Sequence, residues 1–205
     1  MANTTMAAEL RRLVVVLARH AAVAPAGIDP ARFASAALAD SYEVAADLVD
    51  VQATIAGPDE VADLLYPGAR LLPGDVDLTG LCLTSAEAYD EVVFLPADAP
   101  DLPGLVVAKM FKALQRAAVC IAPERGGAGC LGIGVALPRA DWVELPPDLD
   151  TDPRPRLYAI APRRSKVATT PDWHRLRNAD ALTRLDPALE GWDETRLLLG
   201  DRVRR

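Results

Sequence analysis

Short apolar runs alternate with amphipathic stretches along most of the chain. The run Leu13 to Ala18 is continuously aliphatic, which is typical of a central parallel strand covered on both faces. After it, Asp29 suits an N-cap and Pro30 a first helical position, and apolar residues recur at helical spacing up to Leu48, so a helix is predicted there. The same signals predict further strands at 51–57, 69–73, 91–98, 118–123 and 131–137, and further helices at 58–68, 78–89 and 105–116.

The order of these elements indicates the fold class. Strands that alternate with helices predict right-handed β-α-β units, so we expect an α/β fold: a three-layer, mostly parallel sheet with helices on both faces. The pattern changes at 145–173, which is rich in proline and charge and predicts an extended surface arm rather than a regular helix. The tail from Asp172 regains helical periodicity. We interpret 1–145 as one domain and 146–205 as an arm with C-terminal helices packed on it.

Composition narrows the classes of partner. The chain has 205 residues and a formal net charge of −7, and this acidity disfavours binding to nucleic acid or to anionic membranes. Its three cysteines form no CxxC pair, so a structural zinc site has little support. The stretch "RRLVVVLARHAAVAPAG" resembles a twin-arginine signal, but Arg19 and His20 interrupt its apolar run, and a first strand is the better interpretation. We therefore expect a cytoplasmic protein without a membrane span.

Two aspartates follow the strongest predicted strand. Ligands of open parallel sheets bind outside the carboxyl ends of the strands, where Asp98 is expected, and aspartate is a hard oxygen ligand suited to Mg²⁺ or Mn²⁺. The alternative is turn and capping chemistry, with Asp101 accepting from backbone N–H groups and Pro103 fixing the first turn of a helix. From the residues alone both interpretations of Asp98 stay open, and a capping role is favoured for Asp101.

The segment "VVFLPADAPDLPGLVVAKMFKAL", the strand "AVCIAP" and the loop and strand "ERGGAGCLGIGVALP" resemble the nucleotide-diphospho-sugar transferase superfamily with a GT-A fold. The resemblance is to a small glycosyltransferase-like family of bacteria and to 2-phospholactate guanylyltransferases. It implies a GT-A-like fold, a nucleotide or nucleotide-sugar substrate and a Mg²⁺ or Mn²⁺ cofactor. It places Asp98 near the metal and phosphates, Gly126 and Gly127 on a substrate-binding loop, and Asp40 at the family's usual aspartate in the first helix. The alternative for the two glycines is a β-turn before the next strand.

The chain departs from that family in two loops. After the first strand, the family's Lys-Thr-Arg-Leu element, whose cations hold nucleotide phosphates, is missing, and no lysine occurs before Ala108. Arg19 is the cation nearest to the strand and is the predicted nucleotide-binding residue and phosphate ligand of this loop. Arg125 stands directly before the two glycines, where the family more often has an acid, so it either binds phosphate or marks an altered site. His20 lies just after the first strand, a suitable place for a catalytic residue, but no acid partner for it can be identified in the sequence. His174 is expected at the surface.

A basic cluster in the arm leaves a further alternative open. It could fold over the sheet and supply phosphate contacts, grip an acidic face of a second subunit in a homodimer, or lie solvated on the surface. Two functions follow: a glycosyl- or nucleotidyltransferase with a divalent ion near Asp98, or a catalytically degenerate relative that works as a binding or assembly module. The cluster consists of Arg154, Arg156, Arg163, Arg164 and Lys166.

Overall fold

The computed structural model describes residues 10–200. The first nine residues of the predicted domain, 1–9, and the last five of the predicted C-terminal segment, 201–205, lie outside the described residues. The strands are β1 (Arg12–Leu17), β2 (Val51–Gly57), β3 (Leu72–Pro73), β4 (Glu91–Pro96), β5 (Val119–Pro123), β6 (Cys130–Ala136) and β7 (Val167–Thr169). The α-helices are α1 (Pro30–Ala46), α2 (Leu78–Ser85), α3 (Gly104–Leu114), α4 (Arg154–Ile160) and α5 (Asp193–Leu199). Short 3₁₀ helices cover Asp59–Leu64, Arg164–Lys166 and Ala179–Arg184.

The strands form a single sheet in the order β3-β2-β1-β4-β6-β5-β7. All neighbouring pairs are parallel except those of β6, which runs antiparallel to both β4 and β5. The predicted α/β class with a mostly parallel sheet is confirmed. Parallel pairing follows from the crossover connections, because a helix between two strands returns the chain to the same end of the sheet.

The central strand β1 is buried on both faces. Val14 and Val16 pack with residues of α1 and α3 on one side of the sheet, and Val15 and Leu17 pack with residues of α2 and α4 on the other. Alternating side chains of one strand therefore contact opposite helical layers. This arrangement gives the three layers that the continuous aliphatic run of β1 predicts.

The first helix begins where the sequence indicates. The Asp29 side chain accepts a hydrogen bond from the Arg32 N–H at 2.7 Å, and Pro30 is the first helical residue. Near its other end, buried Asp40 accepts from the N–H groups of Glu194 at 3.1 Å and Thr195 at 2.8 Å. Asp40 thus caps the first turn of α5 and holds the C-terminal helix against α1.

The arm differs from its prediction. Residues 154–160 form α4, and residues 167–169 form β7, which pairs with β5 at the edge of the sheet. Each of these short elements buries one apolar side chain, Leu157 and Val167, against the α2 face of the sheet. The prediction of an extended arm without regular structure is therefore wrong. No helix among residues 10–200 is long and apolar enough to cross a membrane.

Candidate functional site

The order of the strands creates a crevice at one end of the sheet. From β1 the chain continues outward to β2 and β3 on one side, and it returns to β4 on the other side of β1. The carboxyl ends of β1 and β4 therefore flank a switch point, which is where open α/β sheets bind ligands. His20 follows β1 and Asp98 follows β4 at this end.

Asp98 forms a buried, bidentate ion pair with Arg175. The Arg175 Nε donates to Oδ1 at 2.7 Å, and Nη2 donates to Oδ2 at 2.9 Å. Each of the two residues is only 2% exposed. Burial raises the pKa of Asp98, and the guanidinium opposes that rise because it stabilises the carboxylate. Both oxygens of the predicted metal ligand are thus bonded to an internal cation.

The remaining donor group of Arg175 contacts three residues in two other parts of the chain. Its Nη1 lies 3.2 Å from the carbonyl oxygen of Cys130, 3.3 Å from that of Leu149 and 3.2 Å from Asp150 Oδ1. These contacts link the loop after β4 to the start of β6 and to the segment before α4. Arg175 is therefore the hub of the crevice.

His20 finds an acid partner that the sequence did not reveal. Its Nδ1 lies 3.3 Å from Asp150 Oδ1, and its Nε2 accepts from the Leu149 N–H at 3.4 Å. Burial, together with the positive charge of Arg175, lowers the pKa of His20 to about 4. The imidazole is therefore neutral at pH 7, with Nε2 hydrogen-bonded to the Leu149 N–H and Nδ1 beside the Asp150 carboxylate.

Arg177 completes the cluster on the side of β5. Its Nη2 donates to Asp150 Oδ1 at 2.6 Å, and its Nε lies 3.0 Å from Glu124 Oε1. Burial acts to raise the pKa of Asp150, but the neighbouring His20, Arg177 and Arg175 outweigh it, so the pKa is lowered. Three carboxylates thus surround two guanidinium groups at the switch point.

The two glycines of the predicted substrate loop have identifiable local roles. Gly126 has a φ of +74°, a left-handed conformation that side chains disfavour. A Cβ at Gly127 would lie 2.2 Å from the Glu124 carboxyl carbon, so this position must be glycine for Glu124 to reach Arg177. The turn alternative therefore accounts for both residues, and a substrate contact at Gly126 and Gly127 stays a prediction.

Residues 172–177, which we call the C-terminal strap, lie across this edge of the sheet. Arg125 binds the strap, since its Nη2 donates to Asp172 Oδ1 at 3.0 Å and its guanidinium lies 5.2 Å from the Trp173 ring centre. Backbone bonds add to this, because the Leu176 N–H donates to the Asp98 carbonyl at 2.7 Å and its carbonyl accepts from Val23. Arg125 therefore fastens the chain's own segment, and phosphate binding by Arg125 stays a prediction.

Two expectations about residues near the strap are wrong. Asp101 does not cap α3, whose N-cap is Pro103 without a side-chain bond. Instead, buried Asp101 accepts from Trp173 Nε1 at 3.2 Å and lies 3.0 Å from His174 Nε2. His174 is 2% exposed and stacks on Trp173, so it is not a surface residue.

An open groove lies beside the crevice, at the carboxyl ends of β1, β2 and β3. It has a volume of about 660 Å³. At the base of the groove the backbones of Gly57 and Gly74 lie close together. A side chain at Gly74 would prevent this, since its Cβ would lie 2.9 Å from the Gly57 backbone. Its lining residues are Ala18, Arg19, Gly57, Pro58, Asp59, Pro73, Gly74 and Asp75.

The predicted phosphate ligand Arg19 lines this groove. Its Nη1 donates to the carbonyl oxygens of Val76 at 2.7 Å and Gly74 at 3.3 Å, and its Nη2 donates to Pro147 O at 3.1 Å. The side chain is exposed but bridges β3 to the segment before α4. The structure thus places Arg19 at the ligand edge, with part of its donor capacity used by the fold.

Three arginines of the predicted basic arm have partners in the arm or next to it. Arg154 pairs with Asp152 at 2.7 Å, and Arg156 pairs with Glu144 at 2.8 Å. The Arg164 guanidinium lies 4.9 Å from the Tyr158 ring centre. Arg175 and Arg177 reach Asp98 and its neighbours instead. A signal for them exists in the sequence, since "HRLRN" places two arginines at alternate positions, but only the fold shows which acids they meet.

The crevice does not fit a divalent ion in this arrangement. Both oxygens of Asp98 are bonded to Arg175, so an ion at Asp98 would have to displace a buried guanidinium. Within residues 10–200 no three His, Cys, Asp or Glu side chains form a group that could hold a metal ion. The predicted Mg²⁺ or Mn²⁺ ligand Asp98 is therefore an ion-pair partner here.

Comparison with known proteins gives likeness at the level of the fold. No family model and no curated protein matches the sequence. A protein of Desulfovibrio desulfuricans G20 classed as a nucleotide-diphospho-sugar transferase is 17% identical with a TM-score of 0.64, covering 95% of this chain and 97% of that one. A 4-diphosphocytidyl-2C-methyl-D-erythritol synthase of Anaerococcus prevotii is 10% identical with a TM-score of 0.53, covering 97% and 100%.

A third similar structure is a glucosyl-3-phosphoglycerate synthase of Mycobacterium tuberculosis, solved with Mg²⁺ and uridine diphosphate. It is 16% identical with a TM-score of 0.53, and the match covers 95% of this chain and 80% of that one. All three likenesses extend over almost the whole of this chain. The expected resemblance is confirmed for the fold alone: the chain has the α/β fold of these three solved structures.

Proposed function

We propose that this protein binds a nucleotide or nucleotide sugar in the groove at the carboxyl ends of β1–β3 and transfers its glycosyl or nucleotidyl group. The observation that carries the proposal is the position of the groove, which adjoins the switch point between β1 and β4 where this class of sheet binds ligands. A volume of about 660 Å³ is within the range of small-molecule sites. The uridine diphosphate in the M. tuberculosis structure supports the same ligand class.

The lining of the groove has the chemistry that a nucleoside requires. Ala18, Pro58 and Pro73 offer apolar surface for a base, while the exposed carboxylates Asp59 and Asp75 can accept from ribose hydroxyls or from base amino groups. The groove offers little for phosphates apart from Arg19, whose guanidinium is already partly bonded. Recognition of the nucleoside half is therefore the stronger part of the proposal.

A second candidate function is a binding or assembly module without catalysis. The observation in its favour is the Asp98–Arg175 pair, which fills the crevice where the transferred group would be activated. A ligand in the groove would then be bound without being converted. Both candidates share the groove and differ in turnover.

The test combines binding with turnover. Isothermal titration with uridine and cytidine diphosphates and a panel of nucleotide sugars should give saturable binding. Asp75→Ala should weaken that binding about tenfold, because loss of one hydrogen bond costs about 1.4 kcal/mol of binding free energy, which corresponds to a tenfold change in Kd. Asp63→Ala is the matched control, since Asp63 is also an exposed aspartate but does not line the groove.

Chromatography of the same incubations separates the two candidates. Release of free nucleotide or of pyrophosphate that depends on an acceptor supports the transferase. Binding that Asp75→Ala weakens, without any turnover, supports the module. Absence of binding by every nucleotide tested refutes both forms of the proposal.

A further inference from the structure

We propose that Arg175 is the resident cation of the crevice and stands where a divalent ion would otherwise sit, so that Asp98 binds no metal and the groove binds its ligand without one. The first part rests on the Asp98 cluster alone. The second part deepens the proposed function and rests on it. Mn²⁺ binding without nucleotide tests the first part, and nucleotide affinity with and without Mn²⁺ tests the second.

The partners of Arg175 form the kind of ligand set that a hard divalent ion prefers. Its guanidinium contacts two carboxylates, Asp98 and Asp150, and two backbone carbonyl oxygens, those of Cys130 and Leu149. Carboxylate and carbonyl oxygens are also the usual ligands of Mg²⁺, Mn²⁺ and Ca²⁺. One guanidinium therefore uses the oxygen donors on which an ion at Asp98 would depend.

The electrostatics of the crevice agree with a permanent counter-ion. Asp98 and Glu124 are buried, and burying a carboxylate is costly unless a cation is paired with it. Arg175 and Arg177 supply that charge, and one carboxylate oxygen of Glu124 is buried without a hydrogen-bond partner. The cluster is thus acidic enough to attract an ion once Arg175 is taken away.

The C-terminal strap is built to keep Arg175 in place. The backbone of Leu176, the next residue, bonds to the Asp98 carbonyl on one side and to the Val23 N–H on the other. Leu176 is fully buried in a cluster with Phe33 and Trp192. Main-chain bonds and apolar packing therefore position the guanidinium independently of any ligand in the groove.

The first experiment measures Mn²⁺ binding without nucleotide, from the loss of the free-ion signal in electron paramagnetic resonance. Wild-type protein should leave the signal of added Mn²⁺ unchanged. Arg175→Ala should bind about one Mn²⁺ per chain, and Arg175→Ala/Asp98→Asn should lose that binding because the carboxylate is gone. Arg125→Ala removes another arginine at the strap, one that does not contact Asp98, and should behave like wild type.

Stability keeps the proposal testable if the variant is poorly folded. Loss of one partner of a buried ion pair should lower the melting temperature of Arg175→Ala by about 6–20 °C. Millimolar guanidinium or Mn²⁺ should recover part of that loss in Arg175→Ala and none in Arg125→Ala. Arg175→Lys restores the charge without the bidentate geometry, so it should fold and should still exclude Mn²⁺.

The second experiment tests metal independence of the groove. The affinity for uridine or cytidine diphosphate should agree within about twofold in EDTA and in Mn²⁺, because a guanidinium already occupies the ion's place. Stoichiometric Mn²⁺ binding by wild type that Asp98→Asn abolishes would overturn the inference. An affinity more than tenfold higher with Mn²⁺ would overturn its second part. Failure of every nucleotide to bind refutes the proposed function and leaves the Mn²⁺ result to decide the role of Arg175.

Discussion

Removal of the Asp98 carboxylate is expected to destabilise the protein strongly. In Asp98→Ala, Arg175 stays buried and loses two of its five hydrogen bonds, keeping those to Asp150 and to two carbonyls. Charge-assisted bonds are worth about 1.5–3 kcal/mol each, and breaking one side of a buried pair typically costs about 3–5 kcal/mol. We expect the free energy of unfolding to fall by about 3–5 kcal/mol.

Urea unfolding followed by tryptophan fluorescence provides the measurement. Asp98→Ala/Arg175→Met removes both charges, and it should cost less than the sum of the single variants by about 0.5–3 kcal/mol, since the two residues contact each other. Asp172→Ala is the control, because its pair with Arg125 is about half exposed and should contribute no more than about 1 kcal/mol.

The reasoning would be refuted if Asp98→Ala cost no more than Asp172→Ala. It would also fail if the double variant lost the full sum of the two single losses. Either result would mean that the fold does not depend on the bidentate contact. Arg175 would then not stabilise the buried Asp98 carboxylate and could not serve as the resident cation of the crevice.

Three further predictions concern other parts of the fold. The pKa of His20 in the folded protein lies near 4, below its ordinary 6.5. Between these two pH values the unfolded chain binds a proton that the folded protein does not, so the free energy of unfolding should fall by up to about 3 kcal/mol from pH 7 to pH 4. In His20→Gln that fall should be smaller, and equal pH slopes in the two proteins would contradict the assignment. Asp40→Ala should lose about 0.5–2 kcal/mol in urea unfolding as α5 loses its cap, whereas no change would show that the two bonds contribute nothing. Burial raises the pKa of all three thiols to about 12, so a disulfide reagent at pH 8 should label none in the native protein and three in denaturant, and rapid native labelling would contradict the burial of Cys82, Cys120 and Cys130.

Elements with strong local signals could be predicted from the sequence. The aliphatic run of β1 and the cap at Asp29 depend on neighbours within a few residues, and both were confirmed. The strand β7 was missed because its place in the sheet comes from pairing with β5, which is remote in sequence. A three-residue edge strand with one buried side chain carries too short a pattern to be distinguished from a loop.

The site was only partly predictable, for the same reason of range. Asp98 could be placed at the ligand edge because it follows a strong strand, and the sheet confirms that position. Its partner Arg175 is separated from it by 77 positions in sequence, and the alternating arginines of "HRLRN" do not show which acid each of them meets. Arg19 follows β1 and therefore lies at the same edge, but its bonds to carbonyl oxygens depend on loops that fold around it.

Residues of the groove and of the crevice contact the same short segment of the chain, although the two sites differ in chemistry. Consecutive residues Arg19 and His20 bond to the same short segment, one at Pro147 and the other at Leu149 and Asp150. That segment also supplies two of the oxygen atoms that hold Arg175. A ligand that shifts Arg19 would therefore act on the segment that supports the Asp98–Arg175 pair.

The nature of the cation limits the chemistry that the crevice can perform. A guanidinium stays charged, has fixed planar geometry and stabilises negative charge through hydrogen bonds. With Arg175 in place, Asp98 presents neither a free oxygen for an ion nor a base within reach of solvent. Transfer would then depend on orienting the donor and stabilising its leaving group. If the proposed transfer takes place in the groove, it would favour acceptors that are already nucleophilic. Where no such acceptor can approach, the same geometry would give binding without turnover.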